Sequence, residues 1–196
     1  EKISKGALIM FIPSDLVLVT PQGLDSLLER VLEEKDVDIF FPIISREVCE
    51  KKYPEERRTY ARFKEGQYTG AHIEFLRPAP FLEHADRVKA NKENLYNIYY
   101  MRKNTLGIAR FLGLKLTLKY IFGTLSPGDV ENHVFEKYNV SAKALYWDDP
   151  DLSTDLSEPR DIQMIQRVLK EREIVRSEVR PANDEKAPGT DIRSGV

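Results

Sequence analysis

Residues 7–12, ALIMFI, form an apolar run with no polar alternation. A strand buried on both faces of a parallel sheet has this pattern. The run breaks at Pro13-Ser14-Asp15. Thr20-Pro21 follows, an N-cap residue with proline at the first helical position. Leu24, Leu27, Leu28, Val31 and Leu32 then recur at helical spacing and predict an amphipathic helix over 22–36. Residues 37–44, VDIFFPII, predict a second apolar strand. Pro42 cannot donate to a sheet ladder, so an edge or a strand end is expected there. Residues 45–53 read as a short polar helix or loop, closed by Pro54.

Two β-rich runs, 58–63 and 68–76, flank Lys64-Glu65-Gly66-Gln67 and predict a hairpin. Within an α/β pattern such a hairpin is expected to be a small insertion forming one wall of a site. From 81 to about 138 the pattern is helical, in pieces over 81–90, 94–103, 106–112 (ending at Gly113) and 114–122 (ending at Gly123). A fifth piece opens at Ser126-Pro127 with an N-cap and a first-turn proline. Residues 140–147 alternate as a strand, 148–155 are acidic and irregular, and Glu158-Pro159-Arg160-Asp161 opens a final helix to about 173. The apolar pattern stops at 174, so one domain over 1–173 and a flexible tail over 174–196 are expected.

Composition changes this picture little. The 196 residues are 41% hydrophobic and 32% charged, enough for one sizeable core. A net charge of −2 gives no general attraction to nucleic acid or to an anionic membrane, and neither is expected as a partner. The single cysteine, Cys49, excludes an internal disulfide and a cysteine-rich zinc site. No apolar stretch has the length of a membrane span and no secretory signal is visible, so a cytoplasmic location is the default expectation. Nothing in the sequence indicates an oligomeric state. The chain begins at Glu1 and enters a buried-type strand almost at once, so a preceding N-terminal portion is expected.

Two carboxylates stand out. Asp15 and Asp155 each follow a strand or strand-like segment, far apart in sequence. In open α/β sheets ligands bind beyond the carboxyl ends of strands. Two carboxylates meeting there can hold Mg²⁺ against phosphates, because Mg²⁺ takes hard oxygen ligands and keeps substrate and water in the rest of its shell. The competing reading makes Asp15 a turn residue and Asp155 a helix cap, and spacing alone favours it. Arg57, Arg58 and Arg62 beside the hairpin, and Arg102-Lys103 at a helix end, are cations suited to phosphate or an acidic substrate; surface solvation is the commoner reason for such residues. His72 falls in a hairpin strand, where a lone histidine is usually a packing residue. His84 and His133 read as surface residues, and Cys49 has no histidine partner in view. The chain has no G-x-S-x-G, G-K-[ST] or G-x-G-x-x-G motif.

Ser14-Asp15-Leu16-Val17-Leu18-Val19-Thr20-Pro21 resembles the D-x-P-L-L-T-P segment of the MobA-like NTP transferases, relatives of the molybdenum-cofactor guanylyltransferase. Arg58-Thr59-Tyr60, Gly66, Tyr68-Thr69-Gly70-Ala71-His72 and Leu76-Arg77-Pro78 are similar to that family's T-G-G-N-x-x-x-x-R-P hairpin. Arg102-Lys103-Asn104 and Leu112-Gly113 resemble one branch of it, and Asp155-Leu156-Ser157-Glu158-Pro159-Arg160-Asp161 resembles its D-[VI]-[DN]-[TKR]-P-E-D segment. The pieces are collinear from Leu8 to about Leu169. The resemblance implies a Rossmann-like, three-layer α/β domain with a mostly parallel sheet, a β-hairpin insertion and a helical block. It implies Mg²⁺-dependent attack on the α-phosphate of an NTP with release of pyrophosphate. Asp15 and Asp155 would be catalytic and bind the metal. Arg58, Arg62, His72 and Lys103 would contact the NTP or a small phosphorylated or sugar-like acceptor.

The sequence also departs from the family pattern. The family's N-terminal glycine-rich loop, L-A-G-G-x-x-x-R-M-G-x-x-K, is absent, so the chain as it stands is expected to be inactive. Val17 replaces a proline, Ser157 replaces Asp or Asn, and His72 replaces Asn. A non-catalytic relative that binds a nucleotide or a partner is therefore the second reading. A glycosyltransferase is third, because Asp15 is followed by Leu16 and Val17 rather than completing a D-x-D pair.

Overall fold

The computed structural model describes residues 7–79, 105–156 and 158–179. The chain divides after residue 157 into two units. In the first, the elements run β1 (Ile9–Phe11), α1 (Pro21–Glu33), β2 (Ile39–Ser45), α2 (Arg46–Lys52), β3 (Ala61–Phe63), β4 (Gly66–Gly70), β5 (Glu74–Leu76), α3 (Thr105–Ile121), α4 (Pro127–Tyr138), β6 (Ala142–Trp147) and a 3-10 turn (Pro150–Ser153). The second unit contributes α5 (Pro159–Val179).

The helix starts follow from local chemistry. Thr20 accepts from the Gly23 N–H and Pro21 needs no partner for a missing N–H. Ser45 caps α2 through the Val48 N–H. At α4, Ser126 and Asp129 exchange side-chain-to-backbone hydrogen bonds in a capping box. Gly113 sits at φ 72° inside α3 and divides it, close to where the sequence separates two helical pieces. Asn139 takes the left-handed conformation that ends α4.

The sheet overturns the expectation of a mostly parallel, Rossmann-like architecture. Among the described residues, β1–β5, β5–β2, β2–β4 and β4–β3 are antiparallel, and only β2–β6 is parallel. The reason lies in residues 66–76. The hairpin of β3 and β4 forms as expected, but its second strand does not stay at the periphery. It breaks after Gly70, resumes as β5, and inserts between β1 and β2. The hairpin is thus continuous with the sheet rather than an insertion beside it. Met10 and Phe40 face Phe75 from the two sides.

Two narrower expectations also fail. Pro42 lies in the middle of β2, which has neighbours on both sides. Its carbonyl accepts from the Ala71 N–H, so its nitrogen faces the gap between β4 and β5, where no ladder bond is required. β1 is not buried on both faces: Phe11 is 52% exposed, and β1 pairs with β5 alone among the described residues.

The core lies between α1 and the sheet. Leu27 and Val31 of α1 pack with Phe40, Ile44, Ile73, Phe75, Leu145 and Leu152. A smaller cluster joins Leu112, Leu116 and Leu125 to Phe63 and Val130. The predicted helices over 81–90 and 94–103, Lys103, His84, Ser157 and the 180–196 tail lie outside the described residues. The final helix continues past 173 to Val179.

Candidate active site

β1, β2 and β6 run in the same direction, because β5 is antiparallel to both β1 and β2 and β6 is parallel to β2. Their carboxyl ends therefore open at one edge. Asp15 follows β1 there, and Asp155 follows β6 and its 3-10 turn. The break between β4 and β5 falls at the same edge, since Phe11 faces Glu74 in the β1–β5 register.

Three sequence-selected residues meet at this edge. The Leu156 N–H donates to the Asp15 carbonyl at 3.1 Å, which sets the Asp155 and Asp15 backbones side by side across the chain. The same Asp15 carbonyl accepts from the Val17 N–H at 3.1 Å, which tightens the loop. Leu16 and Leu18 are buried on either side of exposed Val17 and anchor the segment, while Asp15 is exposed. His72 occupies the break between β4 and β5. Freed from the ladder, its N–H donates to the Leu152 carbonyl at 3.0 Å, and its Nδ1 lies 3.6 Å from Asp155 Oδ2. Asp155 and His72 keep about a quarter of their side-chain surface open, 25% and 24%.

Behind Asp155 stands a buried polar cluster. The Arg58 side chain is 5% exposed. It pairs with Glu56 and donates to the Ser153 carbonyl, the Ser153 hydroxyl and the Thr154 hydroxyl. Its Nε has no hydrogen-bond partner among the described residues. Burial pushes the Glu56 carboxyl above its ordinary value of 4.5, the Arg58 guanidinium draws it back in part, and nearby Asp155 adds a small upward push. From the other side, the Tyr53 hydroxyl donates to Asp151 Oδ1 at 2.5 Å, and Lys52 Nζ bridges Asp149 and Asp151 at 3.0 and 2.8 Å. The 3-10 turn carrying Asp155 is therefore clamped by α2 and by the segment before β3.

The predicted residues thus separate. Asp155 and His72 come together, and the Asp15 backbone lies beside that of Leu156. Arg58 is committed to the turn beneath Asp155. Arg62 is placed elsewhere: it lies against the Gly123 backbone, and its guanidinium nitrogen would be 3.2 Å from a Cβ at Gly123. Sequence reasoning passed over Glu56, Tyr53, Asp151, Ser153 and Thr154, reading 148–155 as acidic and irregular. Its signal was Pro150 and Leu152, two apolar residues fixed among the acids, both now fully buried. Cys49 is buried, and desolvation raises its thiol pKa, which disfavours the nucleophilic thiolate. A separate cleft of about 330 Å³ lies on the outer side of β6, lined by Arg30, Glu131, Lys143 and Tyr146. Its cations are paired with Glu33 and Glu34, so it offers no free charge for phosphate.

No family model and no curated protein matches the chain. A solved structure from Thermus thermophilus, described as a hypothetical transferase, does match in fold, with a TM-score of 0.65 and 25% identity. The match covers 79% of this chain and 63% of that one, so the chain spans less than two thirds of that protein's length. The chain shares the fold of a protein described as a transferase. Among the described residues no helix is long and apolar enough to cross a membrane.

Proposed function

We propose that the chain carries the metal and acceptor side of a nucleotidyltransferase of the MobA-like kind, which joins an NMP to a small phosphorylated or sugar-like acceptor. The observation that carries this reading is the Leu156-to-Asp15 backbone hydrogen bond, which joins two carboxylate-bearing loops 140 positions apart (155 − 15) at one sheet edge. The fold likeness to a hypothetical transferase supports the same class.

The donor set fits Mg²⁺. Asp15 and Asp155 are hard oxygen donors with open surface. Among the described residues no group of three or more His, Cys, Asp or Glu could hold a metal, so phosphate and water would have to supply the rest of the shell. Mg²⁺ is held in such sites by one or two carboxylates, with phosphates and water completing the shell. When bound, it would neutralise charge on the α-phosphate and the departing pyrophosphate. The chain's own residues orient that chemistry. Arg58 and Glu56 fix the turn that presents Asp155. His72, held by the Leu152 carbonyl, sets its ring beside Asp155, where it would meet the acceptor. Arg62 and Lys103 remain candidates for phosphate from outside this group.

Calorimetric titration of the gene-complete protein with CTP, GTP, ATP and UTP, with and without Mg²⁺, tests the reading. Mg²⁺-dependent binding of one nucleotide, lost in Asp15→Ala with an unchanged circular dichroism spectrum, is the expected result. Binding that ignores both Mg²⁺ and Asp15→Ala would point instead to the non-catalytic relative.

A further inference from the structure

The second half of α3 presents an apolar face on both sides. Leu112 and Leu116 pack inward against Leu125, Phe63 and Val130. On the opposite side Leu114 is 77% exposed, Ile121 65% and Phe122 75%, with Leu118 also open. At about 100° per residue, Leu114, Leu118, Ile121 and Phe122 fall on one stripe about 100° wide. A helix apolar all round is normally buried. The described residues leave this stripe in solvent, well beyond the scatter of single surface leucines.

Exposed cations stand beside the stripe, and the acid Asp129 on its flank is paired with Lys119. From 105 to 128 the sequence holds Arg110, Lys115 and Lys119 and no Asp or Glu, in a chain whose net charge is −2. Lys115 is exposed at the border of the stripe. Lys119 lies on the same flank and is held by Asp129 of α4 at 2.6 Å. Arg62, beside Gly123 where the stripe ends, adds a cation from the hairpin. A second copy meeting the same face across a twofold axis would set these cations against each other. An anionic, apolar surface would not.

We infer that the Leu114–Ile121 stretch of α3, with Phe122, is a peripheral docking face for an anionic phospholipid bilayer. The apolar side chains enter the headgroup boundary, and Lys115 and its neighbours contact lipid phosphates. Gly113 makes this geometry possible, because its positive φ turns the second helical segment away from the first. The whole-chain charge does not supply the attraction; the acid-free segment does. The inference does not depend on the chemistry proposed at Asp15 and Asp155.

The test is co-sedimentation of the full chain with phosphatidylcholine vesicles, and with vesicles that also contain phosphatidylserine. Binding to the mixed vesicles only, weakened by salt, is expected. Leu114→Ser with Phe122→Ser should lower the bound fraction about tenfold, and Lys115→Glu several-fold. Circular dichroism of each variant should match the parent, because the substituted side chains are exposed. No binding to either vesicle, equal binding to both, or unchanged binding by the stripe variants would overturn the inference. A dimer seen by light scattering and abolished by the stripe variants, without vesicle binding, would overturn it in favour of self-association.

Discussion

Arg58 and Glu56 form a nearly closed ion pair beneath the turn that carries Asp155. A buried pair of this kind contributes little by itself, but removing one partner strands the other charge. Arg58→Ala is therefore expected to destabilise the chain by about 3–5 kcal/mol. Arg58→Met combined with Glu56→Leu should recover most of that loss. Urea denaturation of the two variants distinguishes a stranded charge from lost volume. Asp129 makes a pH-dependent case. Its hydrogen bond from Lys119 holds its carboxyl below the ordinary 3.8. The folded state then gives up the proton more readily than the unfolded one. The stabilisation is present above the unfolded value and is lost as pH falls through the folded one. Asp129→Asn should cost about 1 kcal/mol near neutral pH and progressively less in acid below about pH 4, read from urea midpoints across that range.

At the scale of elements, β5 decides the architecture. Phe75 lies opposite Met10 of β1 and Phe40 of β2 and is fully buried. Phe75→Ala should cost about 3–5 kcal/mol in a denaturation experiment, whereas a residue on a peripheral hairpin would cost far less. Much of this level was legible in the sequence. Thr20-Pro21 and Ser126-Pro127 mark their helix starts because capping is a local matter. Gly113 and Gly123 mark breaks because each adopts a positive φ. Strand direction was not legible. It depends on which strand β5 pairs with, and the run from Tyr68 to Leu76 reads the same at a sheet's margin or at its centre. Pro42 misled for a related reason: its missing N–H is costly only if a ladder bond is due at that position, and the break in the neighbouring strand removes the need.

For the whole molecule, the question is whether two distant loops act as one site. Asp15 and Asp155 were selected from their positions after strands and from family-like segments, and the Leu156-to-Asp15 hydrogen bond sets their backbones side by side. The layer beneath them was illegible, because Ser153, Thr154 and Asp151 look like loop residues until α2 and Arg58 close over them. The most direct measurement is a double-mutant cycle on Mg²⁺-dependent nucleotide binding by the gene-complete protein, with Asp15→Asn, Asp155→Asn and the pair. If both carboxylates hold one metal, each single change removes most of the Mg²⁺ dependence and the double variant is scarcely worse than either. Losses that simply add, or a Mg²⁺ dependence that survives Asp155→Asn, would contradict a shared site.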